Sequence, residues 1–146
     1  MLFRSIGWFV RLVLEDRELQ IYGDGRQIRD FVFVDDAADA FLRAGASDAC
    51  NGEVFNVGGT EPIAHRDLVQ LMIATAGSGR FTLVEWPPEK KAIDIGDFYA
   101  DSSRIREVLG WTPTTTLRDG LARTFTYYRA HMQHYVPSTG EQVAAL

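Results

Sequence analysis

Short β-forming runs alternate with helical ones along almost all of this chain, and that interleaving is what most restricts its fold. Ile6, Phe9, Val10, Val13 and Leu14 recur at helical spacing, which predicts an amphipathic helix ending near Asp16. Leu19 to Tyr22 reads as a strand, Gly23-Asp24-Gly25 as a turn, and Arg29 to Val34 as a second strand rich in β-formers. Asp35 or Asp36 is placed to cap a helix running to Gly45. Glu53 to Val57 reads as a further strand, stopped by Gly58-Gly59. A helix is expected over His65 to Ala76, a strand over Phe81 to Glu85, and a long loop from Trp86 to Gly96. Asp101 opens a short helix closed by Gly110, and Thr116 with Asp119 forms a capping box for a last helix reaching about His134. The pattern specifies an α/β (mixed α+β) domain over residues 1–134, followed by a flexible tail, 135–146.

Composition removes several function classes. The 146 residues carry 15 Lys plus Arg against 20 Asp plus Glu, a net charge of -5. A nucleic-acid binder needs a basic face to neutralise phosphates, so nucleic acid is not an expected partner. Lys90 and Lys91 are the chain's lysines, and every other cation among the 15 is arginine, whose planar fork suits one small anion held locally. The single cysteine, Cys50, excludes an internal disulfide and a thiolate metal site. His131 and His134 are spaced to share a helix face, and without a third ligand nearby they read as a solvated helix end, so no metal is assigned. The apolar opening is short and runs into Glu15 and Asp16 without a cleavage site. No stretch approaches a membrane span, and a cytoplasmic protein is expected.

Three stretches carry chemistry. The first is Ile21-Tyr22-Gly23-Asp24-Gly25-Arg26-Gln27-Ile28-Arg29-Asp30-Phe31-Val32-Phe33-Val34-Asp35-Asp36. Arg29 enters the second strand beside backbone that two glycines leave unobstructed, where a guanidinium could meet a phosphate with paired hydrogen bonds. Tyr22 offers a flat face to a base or ribose. On those residues alone, a plain hairpin with Arg29 paired to Asp30 or Asp24 explains the stretch better. The second stretch, Glu53 to Thr60, is by itself a strand end. The third runs from Lys90-Lys91-Ala92-Ile93-Asp94 through Ala100-Asp101-Ser102-Ser103 to Leu109-Gly110-Trp111-Thr112-Pro113. Two lysines beside an acid read either as a second phosphate clamp or as a solvated charged loop.

Taken in order, the three stretches resemble the C-terminal region of the extended short-chain dehydrogenase/reductase family, among the NAD-dependent epimerases and dehydratases of UDP-glucose 4-epimerase type. The resemblance covers about Ile6 to Tyr128. It implies a C-terminal substrate-binding lobe that lacks the N-terminal Rossmann core. It further implies a nucleotide-diphosphate sugar as ligand, with Tyr22 packing along the nucleoside and Arg29 holding the diphosphate. Lys91 falls where a second phosphate-binding arginine is common, and Asp94 where an acid lies near the ribose. Lysine at 91 keeps the charge and loses the fork, and Lys90 could supply that contact instead.

The family's chemistry needs two further features. NAD requires a glycine-rich turn opening onto a helix N-terminus, and here Gly23-Asp24-Gly25 is followed by Arg26-Gln27-Ile28. Catalysis requires a Tyr-x-x-x-Lys pair, yet four residues beyond Tyr22, Tyr99, Tyr127, Tyr128 and Tyr135 stand Arg26, Ser103, His131, Met132 and Thr139. No catalytic residue and no cofactor contact is therefore assigned to this chain. NAD belongs to the intact parent enzyme, with a Rossmann half as partner, and an uncovered apolar face would favour self-association. A stand-alone, non-catalytic nucleotide-sugar module is the alternative, and a genuine start signal upstream of Met1 would favour it over an in-frame glycine-rich turn. The division of labour predicts no heat when NAD is titrated into this chain by calorimetry; micromolar binding would contradict it.

Overall fold

The computed structural model describes residues 5–135. Its elements are α1 (Ser5–Leu14), β1 (Glu18–Tyr22), β2 (Ile28–Arg29), α2 (Val34–Gly45), β3 (Ile63–Ala64), α3 (His65–Ala76), β4 (Arg80–Val84), α4 (Pro88–Lys91), α5 (Ser103–Leu109) and α6 (Leu117–His131). The expected tail, 135–146, lies outside the described residues except for Tyr135. No helix among the described residues is long and apolar enough to cross a membrane.

β1 alternates as a half-buried strand should, with Leu19 and Ile21 inward and Glu18 and Gln20 outward. Its partner is distant in sequence. β1 pairs with β4 in parallel, from Glu18 opposite Arg80 to Tyr22 opposite Val84. A parallel pair needs a long crossover, and α3 supplies the helix within it. Val10 and Val13 of α1, Leu68, Val69 and Met72 of α3, and Phe125 of α6 close over Leu19 and Ile21, every one of them at most 4% exposed. Burying each such side chain contributes about 1.5–3 kcal/mol, so this cluster anchors the fold. A smaller cluster joins Ala40 of α2, Ile105 of α5 and Trp111.

Two predicted strands are corrected. Of Arg29 to Val34, Arg29 alone is paired; β2 is Ile28–Arg29, antiparallel to β3, and Val34 opens α2. Glu53 to Val57 forms no strand. Both runs have β-forming residues, but a strand exists only with a neighbour to bond, and these have none in register. Gly59 passes so close to Phe31 that an added Cβ would strike the Phe31 carbonyl, while one on Gly58 would strike the Asp30 carboxylate. The two glycines serve close backbone crossing. The expected loop from Trp86 to Gly96 also contains a helical turn, α4, which opens on Pro88.

The aspartate cap of α2 is corrected as well. The N-cap is Phe33, and Asp35 and Asp36 lie in the first turn. Asp36 is buried and reaches across the fold, accepting from Thr114 N (3.2 Å), Thr114 Oγ1 (2.9 Å) and Thr115 N (3.0 Å). Burial works to raise its pKa, but those hydrogen bonds hold it below the usual aspartate value. Asp35 meets Arg123 of α6. The carboxylates that sequence assigns to a local cap thus tie α2 to the entry of α6. The capping box there is present: Thr116 Oγ1 accepts from Asp119 N at 3.1 Å. Replacing Asp36 with Ala removes the acceptor of three donors, two on Thr114 and one on Thr115. Urea unfolding of Asp36→Ala is expected to show a loss of about 1–3 kcal/mol; an unchanged midpoint would contradict the tie.

Candidate functional site

The carboxyl ends of β1 and β4 lie side by side, so the chain leaves both at one place. From β1 it passes through Tyr22 and the Gly23–Gly25 turn to β2; from β4 it passes through Trp86 into α4 and on to Asp94. Backbone bonds fix the turn: Gly23 N donates to Val84 O (2.8 Å), Arg66 N to Gly25 O (3.0 Å) and His65 N to Gln27 O (3.0 Å). Gly23 has a φ of +67°, and an added Cβ would lie 2.5 Å from Trp86 Nε1. Glycine is thus required here by its left-handed backbone and by the indole that covers it.

Arg29 is 8% exposed. Its Nη1 donates to Ile28 O (2.6 Å) and Gly96 O (2.5 Å), and its Nη2 is buried without a partner. Neither carboxylate of the hairpin explanation takes it: Asp24 pairs with Arg26 at 3.4 Å, and Asp30 accepts from Ala100 N at 3.2 Å. β1 and β2 are not paired, so the hairpin itself is absent. The guanidinium instead ties β2 to the 94–98 segment, together with Asp97 Oδ1 accepting from Ile28 N (2.8 Å) and Phe98 N donating to Ile28 O (3.0 Å). A buried guanidinium arm without an acceptor is costly in a closed core.

Tyr22 is half-buried, its ring 5.3 Å from that of Trp86 at 37°. Lys90 Nζ stands 5.5 Å from the Tyr22 ring centre and Lys91 Nζ 5.1 Å from that of Trp86. Asp94, nearly buried, has its Oδ2 4.0 Å from Lys91 Nζ. The structure therefore links Tyr22, Lys91 and Asp94 through Trp86, and Arg29 reaches the same loop at Gly96, two residues beyond Asp94. Both Arg29 and Asp94 act on His65 through their charges. Among the described residues, no three His, Cys, Asp or Glu side chains converge as a metal site would need.

Trp86 and His65 were not legible as site residues. Trp86 lies two residues beyond the partner of Tyr22 in β4, a relation visible only once β1 and β4 are known to pair. A cavity of about 510 Å³ opens elsewhere, lined by Gly58, Gly59, Ser102, Arg106 and Trp111 among others, and none of Tyr22, Arg29, Lys91 or Asp94 borders it.

Comparison with known proteins places the chain. The model of the NAD dependent epimerase/dehydratase family matches residues 4–58. A UDP-glucose 4-epimerase of Mycolicibacterium smegmatis is 38% identical over 128 residues, spanning 86% of this chain and 39% of that protein. A dTDP-glucose 4,6-dehydratase of Streptomyces griseus is 32% identical over 88% of this chain and 38% of its own length. A crystal structure of Thermotoga maritima UDP-glucose 4-epimerase with UDP-glucose superposes with a TM-score of 0.75 at 28% identity, covering 88% of this chain and 40% of that one. The chain is similar to NAD-dependent epimerases and dehydratases over part of their length. Its mixed α/β fold is that of a partial extended short-chain dehydrogenase/reductase, and it spans about 40% of the length of these relatives.

His65 has a shifted pKa. Burial lowers its pKa below the ordinary 6.5, Arg29 lowers it further, and Asp94 partly opposes both. The folded state therefore resists protonation more than the unfolded one, so stability falls as pH drops below about 6.5 toward the folded pKa. Following the imidazole by NMR is expected to give a midpoint below 6.5, rising when Arg29 is replaced by Ala; an unchanged midpoint in that variant would remove Arg29 from its surroundings.

Proposed function

We propose that this chain is the substrate-binding part of a nucleotide-sugar epimerase or dehydratase, and that it grips the nucleotide diphosphate of an NDP-sugar. The observation that carries the reading is the unpartnered Nη2 of buried Arg29, whose Nη1 bonds Gly96 on the loop that also carries Lys91 and Asp94. A diphosphate offers that arm an acceptor, and Lys90 and Lys91 of α4 would share its charge. Tyr22 borders the nucleoside, and Asp94 lies toward the ribose. The relatives' names support the class of ligand: the T. maritima structure holds UDP-glucose, and a Bacillus cereus UDP-glucuronic acid 4-epimerase was solved with its UDP-sugar and NAD.

NAD does not fit the described residues. The Gly23–Gly25 turn leads to β2, not to a helix N-terminus, and Trp86 covers its first glycine. The hydride chemistry is assigned to a Rossmann half outside this sequence. Two observations support such a partner: the strand-like runs 31–33 and 53–57 have no strand partner among the described residues, and α2 presents Phe41 and Leu42 at 76% and 74% exposure. Uncovered, the same surface would favour association between copies.

Calorimetry with UDP, UDP-sugars and dTDP-sugars tests the grip. Arg29→Ala is expected to weaken a nucleoside diphosphate about 10- to 150-fold, the equivalent of about 1.5–3 kcal/mol for a hydrogen-bonded charge. An unchanged affinity in a folded variant would remove Arg29 from the site.

A further inference from the structure

Lys90 and Lys91 are consecutive residues of one helical turn, so their side chains diverge by about 100°. Divergent ammonium groups would ordinarily wander in solvent. Here each is taken by a different aromatic ring, Lys90 by Tyr22 and Lys91 by Trp86, and the rings are tilted 37° to each other. Trp86 lies closest to the backbone of this set, its indole lying over Gly23 in the space that a side chain there would otherwise occupy. Pro87 and Pro88 set the turn that follows, with Lys90 N and Lys91 N both bonded to Pro87 O at 3.0 and 2.9 Å. Asp94 takes Lys91 at only 4.0 Å, too loosely to hold it alone.

Resting on the diphosphate reading above, we propose that Trp86 is a positioning residue, which seats the Lys91 ammonium and braces the Tyr22 ring that seats Lys90, so that two cations stand ready for linked phosphoryl groups. The indole acts through the cations and does not serve as a platform for the base. A bound diphosphate draws the ammonium groups off the ring faces, so the Trp86 emission changes as phosphate fills the site.

The test is calorimetry of the 146-residue chain with inorganic pyrophosphate, UDP and uridine, for the parent, Trp86→Phe, Trp86→Leu and Arg29→Ala, with folding checked by circular dichroism. Trp86→Leu is expected to weaken pyrophosphate about two- to five-fold and UDP by at least that factor, with a smaller effect on uridine through Tyr22; Trp86→Phe keeps a ring face and restores most of the loss. A folded Trp86→Leu chain that binds pyrophosphate like the parent overturns the proposal, as does a loss confined to uridine. Should Trp86→Leu fail to fold, pyrophosphate added to the parent must change an emission component that Trp86→Phe lacks; no change overturns the proposal. If Arg29→Ala weakens pyrophosphate while Trp86→Leu does not, only the role of Trp86 falls. If the parent binds neither pyrophosphate nor UDP, both readings fall.

Discussion

The parallel pairing of β1 with β4 is the constraint on which the rest depends, because it decides which loops meet. Two strands running the same way end at the same edge, so the turn after Tyr22 and the loop after Val84 leave the sheet together. Ligands of α/β sheets gather at the carboxyl ends of strands for this reason: loops converge there while the rigid core holds their bases. The pairing is paid for by Leu19 and Ile21, whose burial against α1, α3 and α6 no ligand influences. The candidate site is therefore set by the placement of core residues that never touch it.

A second layer of order comes from short polar ties between segments far apart in sequence. Arg29 bonds Gly96 O, Asp97 bonds Ile28 N, Asp30 bonds Ala100 N, and Ser102 Oγ accepts from Gly58 N at 3.1 Å. Each tie uses a side chain to satisfy a backbone group that a sheet would otherwise satisfy. Together they pin the 94–102 segment along β2 without forming a strand. Arg29 thus has two tasks in one guanidinium: one nitrogen builds the wall of the site and the other stays free beside it.

Local features were legible wherever periodicity or a cap decided them. α1, α3 and the start of α6 follow from apolar spacing and from Thr116 with Asp119, and the breaks at Gly77 and Gly110 follow from glycine, each N–H bonding back to Ile73 O and Arg106 O. Partners were not legible. Nothing in Leu19 to Tyr22 says that its neighbour is Arg80 to Val84, and so Trp86 could not be placed beside Tyr22. Asp36 was misread for the same reason: an acid before a helix looks like a cap, and only the tertiary fold shows Thr114 and Thr115 waiting for it. Phe31 to Phe33 and Glu53 to Val57 were misread because propensity describes what a strand could contain, whereas a ladder needs a second strand.

The charge pattern of the site follows from which acids are already engaged. Asp24, Asp30 and Asp97 all lie near Arg29 in sequence or space, and any of them could neutralise it. Asp24 is held by Arg26 and its own turn, Asp30 by Ala100 N, and Asp97 by Ile28 N. Each of these carboxylates is thus bonded elsewhere, and none of them forms an ion pair with the guanidinium. Asp94 is the acid left facing the lysines, and at 4.0 Å from Lys91 it balances them weakly. In a chain whose net charge is -5, any hold on an anion here rests on where Arg29, Lys90 and Lys91 are fixed and not on an excess of charge.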